Sequence, residues 1–248
     1  MTAQQDNPPR RLAPPVGSVL VDFDGTASPL DGFVELCRRF VGDDWERHFE
    51  RASWKGNGTQ RGDMARLARL LRAPRDELLA FAIEHMTLDP GFAPFVSWVR
   101  GEGIEVAVVS DGLGFYVEPL LAAAGLTDVH VLTNVLVEEA GRLTLRHPHE
   151  HPVCRGCGTC KMQAVLDHRA RGSVAFVGDG VSDRYAAVYA DLVLAKDTLA
   201  SYCTTYGLPF HGWETFGDVR AARGERRPHV AHGDPAACPG WTLEEELV

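Results

Sequence analysis

A chain of 248 residues is long enough for one large domain, or for a core domain carrying an insertion. Its 45% hydrophobic content supports a sizeable packed interior and excludes global disorder. A formal charge of -9 without a long basic run argues against nucleic-acid binding, and no uninterrupted apolar stretch is long enough to span a bilayer.

Residues 1–16, rich in Pro, Gln and Arg, are predicted as a flexible tail. They lack an apolar run of signal-peptide length, which points to a cytoplasmic protein. Ser18-Val19-Leu20-Val21 is a short β-branched run, predicted as a buried strand that ends at Asp22. Segment 30–100 follows, with helical patterns over 33–40, 64–71 and 76–86 and no convincing strand. It is too long for a simple crossover and predicts a small helical insertion. A second strand is expected over 105–109, ending at Ser110, with a turn at Ser110-Asp111-Gly112 and a helix from about Phe115. Residues 129–138 and 143–145 read as a hairpin turning near Ala140-Gly141. Val174-Ala175-Phe176-Val177 and Leu192-Val193-Leu194-Ala195 complete the strands, and a helix is expected over 162–170.

This alternation predicts an α/β fold: a Rossmann-like parallel sheet core flanked by helices, with a small helical cap inserted after the first strand. The expected division is 17–29 and 101–224 for the core, 30–100 for the insertion, and 225–248 for a C-terminal tail of mixed charge. In such sheets ligands bind beyond the carboxyl ends of the strands, so Asp22, Ser110 and Asp179 are expected on one edge.

Asp22-Phe23-Asp24-Gly25-Thr26 sets two carboxylates two residues apart, on one face of an extended run. One can attack phosphorus, and the other can protonate a leaving alcohol and then deprotonate a water. Gly25 allows a sharp turn that exposes backbone amides. Ser110 offers a hydroxyl to a phosphate oxygen, although Ser-Asp-Gly is also an ordinary turn signal. Lys161 can neutralise a carboxylate and a transferring phosphoryl group. In Gly178-Asp179-Gly180-Val181-Ser182-Asp183, Asp179 supplies hard oxygen ligation for Mg2+, and Asp183 can reach back to the site or hold Lys161. Phosphoryl transfer needs this combination of positioning and charge neutralisation.

With these four motifs the chain resembles the haloacid dehalogenase-superfamily phosphatases over roughly residues 17–218. The helical insertion is similar to the C1-type cap of their phosphoserine-phosphatase-like branch. The Cys-rich loop entering Lys161 and Leu194-Ala195-Lys196-Asp197 are similar to the methionine-salvage phosphatases of that branch. The resemblance implies hydrolysis of a small phosphorylated metabolite through an aspartyl phosphate. It implies Asp22 as nucleophile and metal ligand, and Asp24 as general acid/base whose carbonyl also ligates Mg2+. Ser110 and Lys161 become the phosphate-holding pair, Asp179 the second metal carboxylate and Asp183 its support. Asp111 departs from the glycine those salvage phosphatases carry after the serine, so an added carboxylate could alter substrate polarity. Phosphoserine or a specialised metabolite as substrate, a silent ligand-binding relative, and transfer to an acceptor other than water stay open.

In the insertion, Asp31, Trp45, Trp54, Lys55 and Arg61 are candidate substrate contacts, weighed against ordinary packing and surface roles. Among the six cysteines, Cys154, Cys157 and Cys160 crowd into one loop. With His147, His149 or His151 they could hold a structural zinc; otherwise they belong to a glycine-rich turn that delivers Lys161.

Overall fold

The computed structural model describes residues 16–48 and 59–222; both sequence tails, Trp54 and Lys55 lie outside these. Its centre is a seven-stranded sheet in the order β4-β3-β2-β1-β5-β6-β7. The strands are β1 (Val16–Val21), β2 (Glu105–Leu113), β3 (His130–Glu139), β4 (Arg142–Arg146), β5 (Ser173–Gly178), β6 (Leu192–Ala195) and β7 (His211–Gly212). All neighbours pair in parallel except β3 and β4, which form the predicted antiparallel hairpin. Ala140 and Gly141 both adopt positive φ at its tip, the backbone that a tight two-residue turn requires.

Helices cover both faces. One layer holds α1 (Gly32–Phe40), α2 (Gln60–Ala68), α3 (Arg75–His85), α4 (Phe92–Gly101), α5 (Gly114–Ala123) and α9 (Phe216–Ala221). The other holds α6 (Lys161–Arg169), α7 (Arg184–Tyr189) and α8 (Asp197–Thr205). Successive side chains of a strand point to opposite faces, and the central strands are apolar on both. Val19, Val21, Val106, Val108, Ala175 and Val177 enter the first layer. Leu20, Ala107, Val109, Val174 and Phe176 enter the second. Continuous apolar runs, rather than alternating ones, are the sequence signature of a strand buried twice.

Helix α4 falls inside the 30–100 segment, yet it packs against the sheet and α9. Phe92 and Phe95 meet Phe216 at ring-centroid distances of 5.2 and 5.1 Å, and Trp213 joins them at 5.3 Å. Truncating the buried Phe216 to Ala would cost about 3–5 kcal/mol by the usual cavity penalty.

Strand β2 corrects the sequence reading. It does not end at Ser110 but continues extended through Ser110-Asp111-Gly112 to Leu113, which pairs with Asn134 across a register shift. A local turn signal loses here to continued pairing with β3.

Candidate active site

Asp22 follows β1 directly, and its amide bonds the Val177 carbonyl at 2.9 Å, tying the ends of β1 and β5 together. Asp179 follows β5, Ser110 lies in the last part of β2, and Lys161 is the first residue of α6. The structure therefore brings together Asp22, Asp24, Ser110, Lys161, Asp179 and Asp183 at the carboxyl edge of the sheet.

Lys161 is buried and spends all three ammonium donors within the site. It lies 2.8 Å from Asp22 Oδ1, 2.7 Å from Asp183 Oδ1 and 2.8 Å from Ser182 Oγ. Burial alone would lower its pKa, but the charges of Asp183, Asp22 and Asp111 outweigh that and hold it above its ordinary value. The group stays an ammonium. Asp183 is fully used as a brace: its other oxygen accepts from the amides of Asp179 and Gly180, each at 3.0 Å. Asp22 Oδ1 also accepts from the Phe23 amide at 2.7 Å, leaving its second oxygen for a ligand.

Asp24 has a separate environment. Its carboxylate accepts from the Gly32 amide at 2.8 Å, the Ser110 hydroxyl at 3.1 Å and the Tyr116 hydroxyl at 3.1 Å. Burial, then the charge of Asp31, push its pKa up to about 7 despite these donors. A carboxyl near neutrality can both give and take a proton. Gly112 makes the close approach possible, because a Cβ there would lie 2.2 Å from Asp24 Oδ2 and 2.5 Å from the Tyr116 oxygen. Gly25 has φ +82°, and a Cβ on it would lie 2.3 Å from Asp179 Oδ2.

Asp22, Asp179 and Asp183 place carboxylate oxygens within 4.8 Å of one another. Burial and the neighbouring Asp183 raise Asp22 well above the usual carboxylate range, and the same two causes push Asp179 up to about 6. Three carboxylates share one close ammonium in a buried site, and their mutual repulsion adds to burial in raising these values. A hard divalent cation would relieve that repulsion, and the donor set fits one.

Residues 19–187, which carry all of these motifs, match the haloacid dehalogenase-like hydrolases. The chain belongs to that family. Within the family it is a phosphatase. It is 34% identical over 203 residues to 2-hydroxy-3-keto-5-methylthiopentenyl-1-phosphate phosphatase of Brevibacillus brevis, covering 80% of this chain and 90% of the relative. The protein of the same name from Geobacillus thermodenitrificans is 32% identical, covering 80% and 91%. Among solved structures, a phospho-aspartyl intermediate analogue of phosphoserine phosphatase superposes with a TM-score of 0.62 at 21% identity, covering 83% of this chain and 96% of that one.

In this phosphatase the other sequence-predicted residues fare differently. Asp31 caps α1 by accepting from the Val34 amide at 2.9 Å. Trp45 is half-buried against the main core. The Arg61 guanidinium pairs with Glu150, and its amide bonds the Gly156 carbonyl at 3.3 Å, so Arg61 fastens α2 to the Cys-rich loop. Asp111 is buried beside the loop that carries Lys161. Its Oδ1 accepts from the Thr159 amide at 2.7 Å, two residues before Lys161.

The loop is tied down by ordinary hydrogen bonds. Asn134 donates to the Asp111 carbonyl at 2.6 Å, His147 bonds Asn134 at 2.7 Å, and Cys160 N donates to the His149 carbonyl at 2.9 Å. His151 Nδ1 accepts from the amides of Val153 and Cys154 at 3.1 and 3.0 Å. Cys154, Cys157 and Cys160 form no disulfide and, among the described residues, do not make a group of three with sulfurs mutually within 4.8 Å. Burial pushes the Cys160 thiol up to about 11 and also raises Cys157. The reading as a turn delivering Lys161 fits this geometry, and no grouping of these thiols among the described residues supports a structural zinc.

Sequence reasoning gave no role to Tyr116, Thr26 or Lys196. The Tyr116 hydroxyl reaches Asp24, the Thr26 hydroxyl bonds Asp179 Oδ1, and the Lys196 ammonium lies 4.2 Å from the Trp213 ring centre, where its charge lowers the Asp179 pKa. Tyr116 in an apolar helix reads as core packing. Thr26 lay within a quoted motif but had no partner there to point to Asp179.

Proposed function

We propose that this chain hydrolyses a small phosphomonoester with Mg2+, with Asp22 as nucleophile and Asp24 as acid and base. The observation that carries the reading is Lys161, bonded at once to Asp22 and Asp183 beside an Asp24 held by separate donors. Two carboxylates of one short motif thus occupy different electrostatic environments, as their two tasks demand.

In the first step an oxygen of Asp22 attacks phosphorus and the bond to the leaving alkoxide breaks, while Asp24 gives that alkoxide its proton. In the second, Asp24 takes a proton from water as the water attacks the acyl phosphate, releasing phosphate and restoring Asp22. Lys161 offsets charge on Asp22 and the phosphoryl oxygens, and the Ser110 hydroxyl donates to one of those oxygens. Mg2+, held by Asp22, the Asp24 carbonyl and Asp179, would neutralise the transferring group. Asp183 orients Lys161.

Helices α1 to α3 form the proposed cap over this edge, with Arg61 as its link to the Lys161 loop. The substrate we propose is 2-hydroxy-3-keto-5-methylthiopentenyl 1-phosphate, named in relatives at 34% and 32% identity that the chain covers almost end to end. Phosphoserine is the informative competitor. A panel of phosphomonoesters with purified protein and Mg2+, ranked by kcat/KM, tests this: the keto-pentenyl phosphate is expected to lead. A higher kcat/KM for phosphoserine would overturn the substrate assignment and leave the mechanism standing.

A further inference from the structure

At the amino edge of the sheet, away from the catalytic crevice, Glu105, His130 and His168 bring one ligand atom each within 4.8 Å of the others. Glu105 opens β2, His130 opens β3, and His168 lies in the last turn of α6. His168 lies seven positions after Lys161 on the same helix, roughly 10 Å along the axis.

His168 is only 4% exposed, and its Nε2 has no hydrogen-bond partner. Its Nδ1 lies 2.7 Å from the Ala164 carbonyl, which can only accept, so Nδ1 carries the hydrogen and Nε2 of the neutral ring presents a lone pair. Facing that lone pair is Glu105 Oε1 at 3.7 Å, another acceptor. Two acceptors pointed at one another call for a positive charge between them. A proton can serve two such atoms. His130 supplies a third within the same radius, and a metal ion can serve all three.

We propose that Glu105, His130 and His168 form a second metal site, for a borderline divalent ion of the zinc class. Two imidazoles and a carboxylate suit such an ion, whereas Mg2+ prefers the all-oxygen site at the other edge. The Nδ1 bond to a backbone carbonyl is the support that metal-binding imidazoles usually have. Ligands of a tetrahedral zinc stand about 2.0–2.2 Å from it, so the three atoms must draw together slightly. The exposed side chains of Glu105 and His130 have the freedom to do so, while buried His168 stays fixed. Arg171 Nη1 lies 3.7 Å from Glu105 Oε2 and leaves Oε1 to the metal. The ion would staple the starts of two strands to the end of the helix that carries Lys161, so its effect falls on stability rather than turnover.

Calorimetric titration of Zn2+ into metal-stripped protein saturated with Mg2+ tests the site. The site predicts one equivalent bound with a rise in Tm, an affinity loss of about tenfold or more in His130→Ala, and unchanged Mg2+-dependent phosphatase activity in that variant. A triple Cys154→Ser, Cys157→Ser, Cys160→Ser variant is expected to bind zinc as the parent does. Equal zinc affinity in His130→Ala, loss of zinc with the cysteines instead, or no zinc uptake would each overturn the proposal.

Discussion

Lys161 has three donors and gives one each to Asp22, Asp183 and Ser182. Without it, buried carboxylates face each other with nothing between them. Lys161→Met is therefore expected to lose turnover and about 3–5 kcal/mol of stability at neutral pH. The loss depends on pH. Burial and mutual repulsion already raise Asp22, and push Asp179 to about 6, in the folded protein. A carboxyl with a raised folded pKa binds its proton more tightly when folded, so stability falls as pH climbs from the ordinary carboxylate range through the raised value. Urea unfolding of EDTA-treated protein should show the variant's deficit shrinking below about pH 5 and growing above about pH 7. An equal deficit at both ends would contradict this charge balance. Asp24 makes a separate prediction. Asp24→Asn should slow alkyl phosphates by about 10²–10⁴-fold, and p-nitrophenyl phosphate less in the first step, because that leaving group needs no proton. Equal losses in single-turnover rates for the two classes would count against the acid role.

Strand β2 shows at the scale of elements where sequence reading succeeds and where it stops. The apolar runs of β1, β2, β5 and β6 are legible because both sheet faces are covered, so almost every residue must be apolar. The hairpin is legible because Ala140-Gly141 interrupts two runs. The extension of β2 to Leu113 is not, since Ser-Asp-Gly carries a turn signal and its pairing partner Asn134 lies far along the chain. Asn134 also anchors Asp111 and thereby the loop before Lys161. Asp111→Ala leaves the buried Thr159 amide without its acceptor, expected to cost about 1–3 kcal/mol. A loosened Lys161 should also lower kcat by about tenfold or more. Asp111→Asn keeps an oxygen for that amide and should recover most of both. Comparable kcat losses in the two variants would instead assign the effect to the carboxylate charge.

Across the whole molecule, a chain of net charge -9 concentrates carboxylates where a phosphate must bind. One ammonium does not reverse that field, so EDTA is expected to abolish phosphatase activity and added Mg2+ to restore it, followed as free phosphate. Full activity after verified metal removal would contradict the metal assignment. The convergence of Asp22, Ser110 and Asp179 was readable because parallel strands end on a common edge. Tyr116 was not, because only the fold aims its hydroxyl out of an apolar helix at Asp24. The proposed mechanism depends on Asp22 forming the bond to phosphorus. The most direct measurement is phosphate release by purified Asp22→Asn with Mg2+ present, its folding checked by melting. The amide keeps the size of the side chain but cannot form the acyl phosphate, so turnover is expected to fall by at least about 10⁴-fold in a protein that still melts cooperatively. Release at the parent rate by a folded Asp22→Asn variant would contradict the mechanism.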